Sequence, residues 1–221
     1  MDGQIVNAWK HFKTITYHKY LVGKGCFRVG LYRQGLLHDL SKYSPTEFRE
    51  GIKYYQGTRS PNNAEREDKG YSAAWMHHKG RNRHHYEYWN DYSATDNPGT
   101  IVPVPMPDRY IAEMIMDRIA ACKVYEGKNY TDASPYAYYQ KGGIRAPMHE
   151  ETRRKLERML KLLAKEGEER TFARIKREMV SRKSKKRVKR SEDKRVQKID
   201  RLREQICKMR EDEGKELIQN K

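Results

Sequence analysis

Residues 107–125 read PDRYIAEMIMDRIAACKVY. Ile111, Met114, Ile115, Ile119 and Cys122 recur at spacings of three and four, one face of a helix that Pro107 and Asp108 open. Asp117 sits inside that apolar run, where a buried carboxylate needs a partner from elsewhere in the chain. Upstream, Ile5, Trp9, Phe12 and Ile15 form a helical stripe over residues 4–22 that continues to His18, and Gly23 and Gly25 are expected to end that helix. A second helix is expected from Phe27 to Lys42, with apolar contacts from Val29, Leu36, Leu37 and Leu40. Ser44, Pro45 and Glu47 then fit the N-cap, first-turn proline and third-position carboxylate of a capping box, so a third helix follows at once. Residues 56–70, rich in loop formers and charge, read as a mobile surface connection. A short helix from Tyr71 leads to His77 and His78, Gly80 to Asn82 interrupt it, and helical spacing resumes at His84 through Tyr86 and Trp89. The proline-punctuated residues 97–107 cross in extended form, and a last core helix over 149–165 carries Leu156, Met159, Leu160 and Leu163. No stretch alternates as a strand would, so the expected class is all-α.

The 221 residues suffice for one ordinary domain and an appendage. Of the 23 Phe, Trp and Tyr, only Phe172 lies beyond residue 139, which places the core in residues 1–167 and makes 168–221 a tail. The tail holds 20 Lys or Arg against 11 Asp or Glu, the remainder 27 against 19, so per residue the tail is about three times as basic. Its run RKSKKRVKRSEDKR has nine basic residues in 14 and favours polyanions such as nucleic acid, with an affinity that weakens in salt. Ile199, Leu202, Ile206 and Met209 step by three, four and three, two heptads of coiled coil through which a homodimer would form. No apolar run approaches the roughly 20 residues of a bilayer span and the opening residues lack a signal peptide's apolar block, so a cytoplasmic protein without membrane contact is expected. Cys26, Cys122 and Cys207 are odd in number and scattered, fitting reduced structural thiols better than a disulfide framework or a thiolate zinc site.

The chemistry concentrates in LLHDLSK at 36–42. Adjacent helical positions lie about 100° apart, so His38 and Asp39 can point into one cavity if another helix supplies further ligands. The pair ends an apolar segment, where an unpartnered ionisable couple would be costly to bury. His18 lies upstream and Asp117 downstream; the rivals Asp108 and Asp91 are better read as a first-turn carboxylate and a helix end. A second constellation, His77, His78, His84 and His85, gathers four of the eight histidines in nine residues, and neutral imidazole is a common metal ligand. One histidine of each pair is expected to pack with Trp75 or Trp89, which favours His78 and His84 for chemistry over His77 and His85. Lys42, one turn beyond His38, is within reach of a phosphate, and Arg81, Arg83 and Arg109 are candidates for a guanidinium clamp. Asn82 is a candidate to orient water or to ligate, and Glu113, one turn before Asp117 on the same face, a candidate partner behind the ligands. His11 is read as structural and His149 as a helix cap.

His18, His38, Asp39 and Asp117 together resemble the pattern of the HD superfamily of metal-dependent phosphohydrolases, a histidine, then a His-Asp doublet, then a distant aspartate on a later helix. The resemblance covers residues 10–125. More narrowly, WMHHKGRNRHHYEYW, with LLHDLSKYSPTEF before it and MPDRYIAEMIMDRIAA after it, is similar to a bacterial and phage branch marked by HHxxxNxHHxEYW. The resemblance implies an orthogonal helical bundle with a charged C-terminal extension. It implies that those four residues hold a divalent ion, whether Mn, Fe, Co, Ni, Zn or Mg, and that the chain hydrolyses a phosphoester or phosphoanhydride of a nucleotide or related small metabolite. In that mechanism Lys42 or a histidine of the second cluster positions the phosphate or protonates the leaving oxygen. Some members use histidines between doublet and final aspartate for a second ion, and a few carry out oxidative cleavage at a binuclear iron centre, the alternative reaction. A nucleic-acid-binding or scaffolding protein with a structural metal site is the alternative outside enzymes.

Overall fold

A computed structural model describes residues 2–95, 98–142, 146–181 and 199. The chain divides into two units, Met1–Val180 and Ser181–Lys221, of which the first is compact. Among the described residues the fold is helical apart from one two-stranded sheet. Helix α1 runs Asp2–Val29, α2 Tyr32–Leu37, α3 Pro45–Lys53, α4 Pro61–Lys69, α5 Ala73–Lys79, α6 Asp108–Glu126, α7 Ser134–Gly142 and α8 Glu150–Ile175. Strands β1 (Asn90–Tyr92) and β2 (Ile101–Pro103) pair antiparallel, Asp91 opposite Val102. None of these helices is long and apolar enough to cross a membrane.

The core forms where α1, α6 and α8 meet. Ile111, Ile115 and Ile119 of α6 pack with Val22, Cys26 and Val29 of α1 and with Leu156, Met159, Leu160 and Leu163 of α8. Burial of each such side chain stabilises by about 1.5–3 kcal/mol. Helix α1 does not stop at Gly23 and Gly25. A Cβ at Gly25 would lie 2.7 Å from Met116 Sδ, so the glycine is kept for the close approach of α6 and the helix passes through it. The inner face of α1 also differs from the apolar stripe. His11, Ile15, His18, Val22, Cys26 and Val29 are buried, whereas Ile5 is 67% and Trp9 58% exposed. Ile15 and His18 of the expected stripe lie on that face, and only its N-terminal half is shifted by one residue, His11 facing in beside an exposed Phe12.

The second helix is broken. Gly30 takes a positive φ, α2 ends at Leu37, and Leu40–Tyr43 form a 3-10 turn, leaving Leu36, Leu37 and Leu40 exposed. Residues 56–70 are not a loop throughout, because Ser60 and Pro61 start α4, whose Glu65 accepts from Ser72 Oγ and the Ala73 N–H and so fastens α4 to α5. Ser44 caps α3 through the Glu47 N–H, and His149 caps α8 by accepting from the Glu151 N–H. At the C-terminal end Gly167 breaks the regular turn of α8, yet Phe172, Ile175 and Met179 return to the core. The compact unit therefore reaches Val180 and not 167. Leu202, Ile206, Met209 and Cys207 lie outside the described residues, as does the whole basic run.

Candidate metal centre

The His-Asp doublet sits at a joint, not on a helix. His38 is extended, with φ −53 and ψ 128, and Asp39 is left-handed with φ 52, the sole non-glycine residue of positive φ among those described. An aspartate tolerates this conformation better than most residues, at a cost of roughly 1–3 kcal/mol. Lys19 of α1 fastens the joint by donating to the carbonyls of Leu36 (2.6 Å) and His38 (2.8 Å). A lysine closing the last carbonyls of a helix is a common C-terminal device.

The turn at Asp39 presents its two carboxylate oxygens in different directions. Oδ2 lies 3.7 Å from His18 Nε2 and 3.3 Å from His38 Nε2, while Asp117 Oδ1 lies 3.0 Å from the former and 3.6 Å from the latter. Oδ1 lies 3.3 Å from His78 Nε2 and 3.4 Å from His84 Nε2. His85 Nε2 completes this second group, 2.9 Å from His78 Nε2. Two ring nitrogens that close need a proton or a cation between them, because facing lone pairs repel. His18, His38, Asp39 and Asp117 thus form one set of potential ligands and Asp39, His78, His84 and His85 another, the donor atoms of each within 4.8 Å of one another. His38 Nε2, His84 Nε2 and Asp39 Oδ1 are buried without a hydrogen-bond partner, while His18 Nε2 faces Asp117 Oδ1 and Asp39 Oδ2 faces the Lys42 ammonium. Orphaned buried polar atoms are rare, and their convergence on one spot fits a cation.

Behind the ligands, carboxylates fix the rings. Glu113 Oε1 accepts from His38 Nδ1 (3.1 Å) and faces His84 Nδ1 (3.4 Å), and its Oε2 accepts from Gln34 Nε2 (2.8 Å). Burial alone would raise the Glu113 carboxyl, but the two imidazoles hold it down at about 2. Glu47 accepts from His78 Nδ1 (2.8 Å) and His77 Nδ1 (2.7 Å). With Nδ1 protonated against a carboxylate, Nε2 is left to face the centre. Burial opposes charge on Asp39 and Asp117, yet the surrounding imidazoles, and for Asp39 also Lys42, keep both carboxyls well below the usual range. Burial keeps His18 and His85 neutral, whereas against burial the Asp39 carboxylate raises His38 and His78.

Lys42 Nζ contacts Asp39 Oδ2 at 2.6 Å, and although burial works against its charge, the carboxylates of Asp39 and Asp117 hold it protonated. His77 does not join the cluster; it turns to Glu47 and stays partly exposed. The expected division of each histidine pair fails for the second one, because the chain reverses after α5 and brings both His84 and His85 inward while Trp75 packs on His78 and His85. Trp89 packs instead on Tyr110. Asn82 is buried and donates from Nδ2 to Ser41 Oγ (2.8 Å) and the His78 carbonyl (2.8 Å), so it braces the turn. The arginines do not make a clamp on the cluster. Arg81 donates to the His77 carbonyl, Arg83 lies over Tyr88, and Arg109 donates to Gln34. Asp108 pairs with Lys155 and Asp91 accepts from the Tyr92 N–H, away from the ligands. Glu47, Gln34, Ser41 and Lys19 are the contributors that the sequence reading missed; only Glu47 stood out there, in a capping role.

No curated protein and no solved structure matches the chain. One family model matches residues 7–162, a span that includes every ligand named above. On that match, over more than half of its length, the chain belongs to a family of unknown function, DUF5662.

Proposed function

We propose that the chain is a metal-dependent phosphohydrolase of nucleotides or related small phosphoesters, with one divalent ion held by His18, His38, Asp39 and Asp117 and a second by Asp39, His78, His84 and His85. The observation that carries this reading is the convergence of orphaned imidazole nitrogens and carboxylate oxygens in a buried centre, with Asp39 offering one oxygen to each set. Divalent ions in such a centre supply Lewis acidity and water acidified toward neutral pH. The chain's own residues do the rest. Glu113 and Glu47 hold the imidazole tautomers and ring planes. Lys42, permanently charged and partly exposed, neutralises an oxygen of the incoming phosphate and stabilises the charge that builds as the ester bond breaks. Because Asp39 and Asp117 hold Lys42 protonated, the leaving oxygen takes its proton from water. The turn Gly80–Arg83 positions the second ligand set.

The test is metal quantification on the full chain purified without added metal, followed by phosphate release from a panel of nucleotides and phosphoesters. The His38→Ala, Asp39→Ala double variant runs beside it. Bound divalent metal and phosphate release, both lost in the variant, are expected. Two irons per chain with oxidised products and no phosphate release would move the chain to the oxygenase reading, which the shared Asp39 also accommodates.

A further inference from the structure

Beside the cluster, a cavity of about 50 Å³ opens between α1, α3, the start of α4 and Tyr125 of α6. Lys42 lines it and also touches Asp39, so one ammonium borders both the cavity and the cluster. Apart from Lys42 at that end, its polar lining is uncharged or neutralised. Thr14, Tyr55, Tyr125, Ser60 and Asn62 supply hydroxyls and an amide, and the Glu47 oxygens are taken up by His77 and His78. His11 is the unusual member. It is only 6% exposed, its Nδ1 has no hydrogen-bond partner, and burial lowers it to about 4, so it is a neutral imidazole.

The helix beside His11 is adapted to it. A Cβ at Gly51 would fall 2.1 Å from His11 Nε2, so α3 carries a glycine, a residue unfavourable inside a helix, at the point where the ring seats. Phe48 and Tyr55 pack on the same ring, with centroids at 5.3 and 5.9 Å. Thr14 Oγ1 donates to the Lys10 carbonyl (2.9 Å) and accepts from Tyr55 OH (2.9 Å), so both oxygens keep capacity to accept from a ligand hydroxyl. A histidine wanted only for packing would be better served by an apolar ring, since its unpaired nitrogen carries a desolvation cost.

We propose that this cavity receives the non-phosphate arm of the substrate, and that the arm is a small uncharged group bearing hydroxyls, such as a sugar or glycerol unit. The proposal rests on the phosphohydrolase reading above. Size and lining choose the class together. A space of about 50 Å³ takes about four water-sized groups, which suits the hydroxylated edge of a pentose and excludes an enclosed purine. Hydroxyls, which both donate and accept, match a lining of hydroxyls, an amide and an imidazole nitrogen, whereas a second anionic group would find no cation there beyond Lys42.

The test uses the manganese-loaded full chain and isothermal titration with ribose 5-phosphate, methyl phosphate and free ribose. Ribose 5-phosphate is expected to bind about tenfold more tightly than methyl phosphate, the effect of one or two added hydrogen bonds. His11→Leu, which fits the space, and Thr14→Val, which keeps the shape, should each reduce that ratio to within about twofold with metal content retained. If methyl phosphate binds and the ratio is near one, or survives both variants, the sugar-arm assignment falls while the phosphohydrolase reading stands. If neither phosphate compound binds but ribose does and His11→Leu abolishes it, the phosphohydrolase reading falls and the cavity stands as a sugar site. If nothing binds, both fall.

Discussion

Replacing Glu113 with Gln removes a charge without changing shape, and the structure sets how much that should cost. One carboxylate oxygen serves His38 Nδ1 at 3.1 Å and faces His84 Nδ1 at 3.4 Å, while the other accepts from Gln34 Nε2 at 2.8 Å. An amide cannot replace both. If its oxygen stays with the imidazoles, its NH₂ meets the Gln34 NH₂ donor to donor; if it flips, both imidazole N–H groups lose their acceptor. Carboxylates behind metal-bound histidines typically account for 10- to 100-fold in affinity, about 1.4–2.7 kcal/mol, and here one carboxylate stands behind a ligand of each set. The Mn²⁺ dissociation constant of the full chain, measured by competition with a chelator, should therefore rise about 10- to 100-fold in Glu113→Gln. A thermal melt of the metal-free variant checks that it still folds. A folded variant whose affinity stays within about twofold of the parent would refute the idea that Glu113 holds the rings for a metal.

Truncation tests where the domain ends. Phe172, Ile175 and Met179 are buried, and at about 1.5–3 kcal/mol each their loss rivals the whole stability of an ordinary domain. A chain ending at 167 should therefore fail to give a cooperative melt, whereas one ending at 181 should melt like the parent; equal melting of the two would contradict the packing of residues 168–180. The same 1–181 chain should lose any salt-sensitive nucleic-acid binding if the basic tail supplies it, and retention of that binding would exclude the tail. Gly25→Ala would gain about 1 kcal/mol in an exposed helix but here meets Met116 and should destabilise by about 1–3 kcal/mol in urea unfolding; a more stable variant would mean that α6 gives way. Because burial lowers His11 to about 4, the unfolded chain holds a proton that the folded chain rejects between about pH 4 and 6.5. Stability from this group is thus complete above pH 6.5 and falls as pH drops toward 4, by about 2–3 kcal/mol. His11→Leu should flatten that part of the stability profile, and an unaltered slope would show that His11 is accessible to protons when folded.

Periodicity carried the helical class and the core helices α6 and α8, whose buried positions are mostly apolar. It placed Ile15 and His18 on the buried face of α1 but misplaced the first turns, because a count of apolar residues passes over His11 and is drawn to Ile5, Trp9 and Phe12. The helices expected around the doublet were too continuous for a similar reason. Gly30 and the left-handed Asp39 break the chain through backbone conformations that residue type signals only weakly. The residues meeting at the cluster were all singled out in the sequence as candidates, because histidine and aspartate in apolar context are conspicuous. Their supports were not, since Glu47, Gln34 and Lys19 are ordinary surface residue types whose roles depend on where the chain folds back. The arginines misled in the opposite direction, being close in sequence to the cluster but directed to the backbone, an aromatic ring or Gln34.

Asp39 belongs to both ligand sets, one oxygen toward each, and a carboxylate has only one unit of negative charge to share. An ion seated on one side would draw electron density from the oxygen that the other side needs, and would repel a second cation. The centre should then fill in two unequal steps, so that at limiting metal most molecules carry one ion. Two overlapping steps of equal affinity in a titration would mean that the carboxylate is not shared.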